Sequence, residues 1–302
     1  MSSEYKIDEK YIQQALAAFY GLIEGKREGD PNTRYKSWEY CYQVFNEKRA
    51  EYRKSGEEKK KEIVDFLALH MAFYLASWGM YRGSSFLLQR DYKTHIAAVE
   101  ILLEEQYDCL CGYTPEAPLD ERTEQNKLLF GKNGLYERIR ASYNKEKGEC
   151  DFLEDGENAE ANASDTLITK ILMGALGCVP AFDRFLKRAI KWLKEFPAYT
   201  KIAQSIENDG KTFALLERFA FENKDALQIK DNTLYPVMKC VDMFLWQIGY
   251  EYDLMDVLKN EKISTETKDK AVKRAQALGI VQEDDYEKVR EAIEKRWERK
   301  GV

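Results

Sequence analysis

The sequence predicts an all-α protein, and three observations carry that expectation. Only six prolines occur in 302 residues, and proline breaks helix interiors. Apolar residues recur at steps of three and four in segment after segment. No stretch alternates apolar and polar residues for long enough to argue for a half-buried strand. The length, 302 residues, suffices to bury a sizeable core.

In chain order, residues 8–24 form a first amphipathic helix, and Gly29-Asp30-Pro31 breaks the chain after it. Residues 33–54 form a second, with Tyr35, Trp38, Tyr42, Phe45 and Tyr52 as an aromatic core seam. The charged run Glu57–Glu62 opens the most apolar stretch, Ile63–Tyr81. It has membrane-span length, but Asp65 and His70 interrupt it, so the reading is a helix buried on most sides and no membrane partner. Gly79 and Gly83 bend the chain, and Ser84 or Ser85 caps the next helix. Residues 92–108 are expected as a further helix, 110–125 as a loop and 134–146 as a short helix. The acidic stretch 148–163 reads as a mobile linker.

The rest of the chain is organised around Ser164–Leu193. Ile168, Ile171, Leu172, Ala175 and Val179 make one apolar stripe, while Lys170, Gly174 and Gly177 fall on another side. A glycine costs roughly 1 kcal/mol against alanine inside a helix, so two on one face imply that another backbone or a ligand comes close. Pro180 stops this helix and suits the first turn of a second, which places Phe182, Phe185, Leu186, Ala189 and Leu193 on one face. Further helices are expected at 198–208, 211–223 and 231–249. From Ser264 come two charged helices, with a glycine cap at Leu278-Gly279-Ile280 and a capping box at Asp284 and Glu287. The domain reading is a helical core over 1–252 with a C-terminal helical pair over 253–302 packed on it.

The net charge of −6 provides no global basic field, so nucleic acid as a partner has no support from charge. Arg184, Lys187, Arg188, Lys191 and Lys194 line one helix side and read as a solvated face. The six cysteines (Cys41, Cys109, Cys111, Cys150, Cys178 and Cys240) are scattered, and a lone C-x-C is poor zinc evidence. Neither a metal nor a cofactor is expected. Reduced thiols and a polar opening, Met1–Lys10, fit a cytoplasmic protein.

Several residues carry chemistry that periodicity does not explain. Tyr81-Arg82-Gly83-Ser84-Ser85 offers an arginine, two hydroxyls and a helix start, which suits an anion; a capped turn is the plainer account. Asp242 with Lys239 reads as a surface pair worth a few tenths of a kcal/mol, and Trp246 shares their side. His70 reads as a core histidine. Binding candidates are therefore Arg82, Ser84, Ser85, Asp242 and Trp246.

Three local patterns resemble known families. Arg90-Asp91-Tyr92-Lys93-Thr94-His95 has the R-D-x-x-x-H shape and resembles the signature of the all-helical HEPN RNases. That resemblance implies that Arg90 and His95 act on an RNA phosphodiester. Thr169–Gly177 followed by Pro180-Ala181-Phe182-Asp183 looks like the segment before the catalytic aspartate of helix–hairpin–helix DNA glycosylases. It implies that Asp183 stabilises cationic charge at a sugar, although the helix macrodipole also favours an aspartate there; the family's lysine nucleophile has no match, and Lys170 or Arg82 is expected as the cationic contact of Asp183. Finally, HMAFYLASWGMYRGSSFLLQ, TLITKILMGALGCVPAFD and YPVMKCVDMFLWQIG together resemble a family of bacterial all-helical proteins. This implies one shared domain with an appended helical pair and brings no activity with it. The expected function is thus a binding or interaction protein with an interior polar site and an unknown ligand or protein partner. The alternative is a nucleic-acid-processing enzyme. An enzyme site gathers charged groups in one pocket, whereas an interaction protein shows an exposed apolar patch.

Overall fold

The computed structural model describes residues 7–20, 36–83, 85–116, 124–148, 163–193, 209–229 and 234–297. Those residues form twelve α-helices and no strand. The helices are α1 (Glu9–Tyr20), α2 (Lys36–Lys54), α3 (Glu57–Ser77), α4 (Ile96–Leu102), α5 (Glu124–Phe130), α6 (Leu135–Gly148), α7 (Asp165–Leu176), α8 (Arg184–Leu193), α9 (Asp209–Glu222), α10 (Val237–Lys259), α11 (Thr265–Ala277) and α12 (Tyr286–Trp297). The expected breaker at 29–31, the helix at 198–208 and, save for its edge residues, the linker at 148–163 lie outside the described residues.

Two buried helices hold the fold together. In α7 every side chain from Leu167 to Leu176 is buried, including Thr169 and Lys170. Ser164 starts it by accepting the Leu167 N–H at 3.2 Å. Gly177 ends it in the left-handed conformation, φ 64°, with its N–H on the Leu172 and Met173 carbonyls. This is the glycine C-cap that a residue with a Cβ resists. The close approach implied by the glycines is made by side chains. A Cβ on Gly174 would lie 2.5 Å from the Tyr74 ring, and one on Gly177 would lie 2.8 Å from Pro236 and 3.0 Å from the Tyr42 ring. Trp38 ties α2 to the same helix, its Nε1 donating to the Met173 carbonyl at 2.9 Å.

The second buried helix, α10, packs against α8, α1, α9, α11 and α12. It runs unbroken to Lys259, so the boundary drawn at 252/253 falls inside a helix. Arg296 of α12 reaches back to the fully buried Glu251, Nε to Oε2 3.2 Å, and Lys259 pairs with Glu294 at 2.6 Å. The C-terminal pair is therefore stitched to the core helix itself.

Other elements depart from expectation. Residues 92–108 are not one helix: a 3₁₀ turn at Tyr92–His95, α4 and a second 3₁₀ turn at Glu105–Leu110 share them. Asp91 caps the first turn, accepting the Lys93 N–H at 2.8 Å, and the carbonyls of Leu102 and Leu103 are diverted to Arg49 and Arg53. The helix after Pro180 begins only at Arg184, because Asp183 accepts the first free N–H groups. At α12 the capping residue is Asp285, which takes the Lys288 N–H at 2.9 Å, while Asp284 accepts from Gln276 at 2.7 Å. The basic side of α8 is largely paired, Arg184 with Asp253, Lys187 with Asp165 and Arg188 with Asp256; Lys194 lies outside the described residues. No helix among the described residues is long and apolar enough to cross a membrane.

The largest departure concerns α3. It buries Ile63, Val64, Leu67, Ala68, Met71, Tyr74 and Leu75 but is not buried on most sides. Phe66, Leu69 and Phe73 are 40%, 48% and 76% exposed. Its inner face packs on α2, α4, α7 and the Tyr92–His95 turn, and nothing among the described residues covers the outer face.

Candidate functional site

Lys170, Asp183 and Asp242 come together where the α7–α8 connection meets α10. Asp242 is buried, and so is Lys239, one helical turn before it; the surface pair read from the sequence is an interior one. Lys239 Nζ lies 2.7 Å from Asp242 Oδ2, with the side chains 3% and 8% exposed. The other carboxylate oxygen accepts the Ala181 N–H at 2.9 Å. The Lys239 ammonium also stands 5.1 Å, 5.4 Å and 5.5 Å from the ring centroids of Trp38, Phe19 and Trp78, the geometry of cation–π attraction. Lys170, buried on α7, donates to the Trp78 carbonyl at 3.3 Å and lies over the same indole.

Asp183 is half-buried. Its Oδ1 accepts the Phe185 and Leu186 N–H groups, both at 3.0 Å, so it caps α8 in the manner of an N-terminal aspartate. Burial raises its pKa, the Leu186 N–H lowers it, and the charges of Asp242 and Lys170 act in opposite directions. Neighbouring backbone is tied in: Thr169 Oγ1 accepts the Phe182 N–H, and Thr166 Oγ1 donates to the Phe182 carbonyl, each at 2.8 Å. The cluster thus clamps the Cys178–Asp183 connection between α7 and α10. Both Asp242 oxygens and the Lys239 ammonium are engaged inside the protein, so this arrangement orders backbone and presents no free nucleophile.

The remaining candidates sit elsewhere. The exposed Arg82 folds back over Gly79, whose Cβ position lies 3.0 Å from the guanidinium carbon. No ion pair links Arg82 to Asp183 or Asp242 among the described residues. Ser85 accepts the Leu87 N–H at 3.3 Å and so caps a 3₁₀ turn; Ser84 lies outside the described residues. Trp246 is half-buried among aromatic rings, 5.3 Å from Phe19, 4.9 Å from Phe185 and 4.9 Å from Tyr250 between centroids. Arg90 ends the Phe86–Gln89 turn, half-buried.

His95 is fully buried between two tyrosines, Nε2 2.6 Å from the Tyr81 hydroxyl and Nδ1 2.5 Å from that of Tyr143. A neutral imidazole has one donor and one acceptor nitrogen, so one hydroxyl donates to it and the other accepts. Burial lowers its pKa to about 4 and raises that of Tyr81 to about 12. With both nitrogens occupied, the ring is held as a neutral strut between α6 and the bend after α3.

Two features were missed in the sequence. Glu217 on α9 is fully buried and bonded to the Tyr113 hydroxyl at 2.9 Å, and burial pushes its pKa up to about 7. A carboxylate flanked by Leu215, Leu216 and Phe219 was the available signal. The other is the outer face of α2 and α3. Of the five large hydrophobic residues exposed among the described residues, Tyr40 (56%), Phe66, Leu69 and Phe73 lie on these two helices; the fifth is Leu88. His70 sits within this face, its ring 4.5 Å from that of Phe66. The spacing of Phe66, Leu69 and Phe73 at i, i+3 and i+7 is legible in the sequence, but the expectation of a helix buried on most sides passes over it.

Among the described residues, no group of three or more histidines, cysteines, aspartates or glutamates is placed to hold a metal ion. No protein-family model matches the chain, and neither a curated protein nor a solved structure matches it.

Proposed function

We propose that this chain is an interaction protein that docks an amphipathic helix on the outer face of α2 and α3. The observation that supports this is the exposed stripe Phe66, Leu69 and Phe73, with Tyr40 exposed on the adjoining helix α2. Isolated exposed apolar residues are ordinary on protein surfaces, whereas a contiguous patch marks a binding surface. A helix is the natural occupant because anchors at i, i+3 and i+7 interdigitate with a partner helix of the same period. The interior Lys239–Asp242 clamp plays a supporting role, tying α10 to the connection that follows α7, the helix on which α3 rests through Tyr74 and Gly174.

The test is binding of model amphipathic helical peptides to the full chain and to Phe73→Glu, followed by fluorescence anisotropy. Binding to the parent chain that falls at least tenfold in the variant, at unchanged melting temperature, supports the reading. Binding unaffected by Phe73→Glu, or no binding at all, overturns it.

A further inference from the structure

Resting on that reading, we infer that the occupant of the α2–α3 face is a second copy of this chain, packed antiparallel about a two-fold axis. The spacing of the exposed stripe is close to a palindrome. Phe66 and Phe73 lie equal distances on either side of the midpoint between Leu69 and His70. An antiparallel copy of α3 therefore sets Phe66 against Phe73 and brings the two Leu69 side chains together at the axis. A self-complementary patch of this kind is what a two-fold interface requires.

The flanking helix obeys the same symmetry. The Ser37 and Ser77 hydroxyls meet at 2.5 Å. Eleven residues on along α2, and eleven back along α3, Lys48 Nζ stands 5.6 Å from the Phe66 ring centroid. The hairpin is therefore regular, with Tyr40 and Phe73 towards one end and Lys48 beside Phe66 at the other. The two-fold brings Lys48 of each copy to Tyr40 of the other, a cation meeting an aromatic face.

Charge agrees with this arrangement. From Phe66 to Ser77 the chain carries no Asp, Glu, Lys or Arg, so α3 itself brings no like fixed charges together at the centre. At the ends, exposed Glu58 at the start of one α3 is directed towards the end of the other, where Arg82 is exposed, while Glu62 is paired with Lys59 of its own helix at 2.8 Å. The size fits a reversible association. Two helices of about twenty residues present a face of roughly 30 Å by 20 Å, about 600 Å² from each copy, at the lower end of specific interfaces.

Sedimentation velocity of the full chain over a wide concentration range tests this. The expected result is a reversible monomer–dimer equilibrium that Phe73→Glu shifts to monomer at every concentration, with an unchanged melting curve. Leu69→Cys, oxidised under dimer conditions, should give a symmetric covalent dimer well above the parent chain's background. A dimer that persists in Phe73→Glu, or no crosslink above background through Leu69→Cys, overturns the inference. A chain that stays monomeric also overturns it; Phe73-dependent binding of helical peptides would then leave the docking-face reading standing, and their failure to bind would remove both.

Discussion

Lys239 and Asp242 form an ion pair of 2.7 Å one turn apart on α10, almost closed to solvent, and Asp242 simultaneously holds the Ala181 N–H. Such a pair is unequal in its failures. Removing the lysine leaves a buried carboxylate without its counter-charge, so Lys239→Met should cost about 3–5 kcal/mol. Removing both charges together, as Lys239→Met with Asp242→Leu, should recover much of that loss, less the hydrogen bond to Ala181. Denaturant melts of the two single variants and the double variant measure the coupling. Additive losses would show that the two charges do not depend on each other.

A methyl group added to Gly249 should do more harm than one added to Gly174. At Gly174 the Cβ would press on the Tyr74 ring, which can rotate a little to make room. At Gly249 it would collide with the Phe185 carbonyl of α8, so two helices must separate. Gly174→Ala is expected to lose about 1–3 kcal/mol by overpacking, and Gly249→Ala more than that. Thermal melts of the two variants give the ranking, and equal losses would mean that α8 yields as easily as a side chain.

Two buried groups make opposite demands on pH. The Glu217 pKa is raised from 4.5 to about 7, so between those values the folded state holds a proton that the unfolded state has released. Its contribution to stability is present below pH 4.5 and is lost as pH rises through 7, amounting to about 3 kcal/mol. The His95 pKa is lowered from 6.5 to about 4, so its contribution is present above pH 6.5 and is lost as pH falls through 4, by a similar amount. Between pH 4.5 and 6.5 the two slopes should largely cancel. Glu217→Gln is expected to leave a stability that rises with pH over that window, and His95→Gln one that falls. Urea denaturation at half-unit pH steps reads both slopes, and parallel curves for the two variants would contradict the assignment.

The dimer inferred on the α2–α3 face should weaken in acid. Partial burial already lowers the His70 pKa from 6.5, and the two-fold brings the two imidazoles near each other. The charged groups on α3 and on the facing part of α2 are Asp65, which accepts from Tyr92, and Glu47, Lys48 and Glu51, with Lys48 bonded to Glu51 at 2.5 Å; burial alone lowers the His70 pKa. Covering the neutral ring lowers its pKa further, so association is favoured above that pKa and lost as pH falls below it. The dissociation constant should rise by roughly tenfold or more between pH 8 and pH 5, and His70→Gln should abolish the change. Sedimentation at the two pH values checks this.

The all-α class and the burial of Ser164–Leu193 were legible because spacing alone records which side of a helix avoids water. The gathering of Lys170, Asp183 and Asp242 was partly legible, since proline and glycine marked the turn that folds α8 back. What escaped the sequence were properties of pairs distant along the chain. Lys239 looks like any surface lysine until Trp38, Trp78 and Phe19 arrive from α2, the end of α3 and α1. His95 gives no sign of Tyr143, 48 residues away. The outer stripe of α3 was misjudged for a different reason. A helix apolar on two sides reads the same whether its second side meets the core or meets another molecule.

The hairpin of α2 and α3 also bears on the order of events during folding. Only Ser55 and Gly56 separate the two helices, so their pairing closes a very short loop and uses contacts near in sequence. Such local structure forms early, ahead of contacts that wait on distant segments. The inner side of α3 depends on α7, nearly a hundred residues downstream, whereas its outer side is complete once the hairpin closes. During synthesis all the residues of the outer surface are therefore joined before α7, on which the inner side of the hairpin rests, has been made.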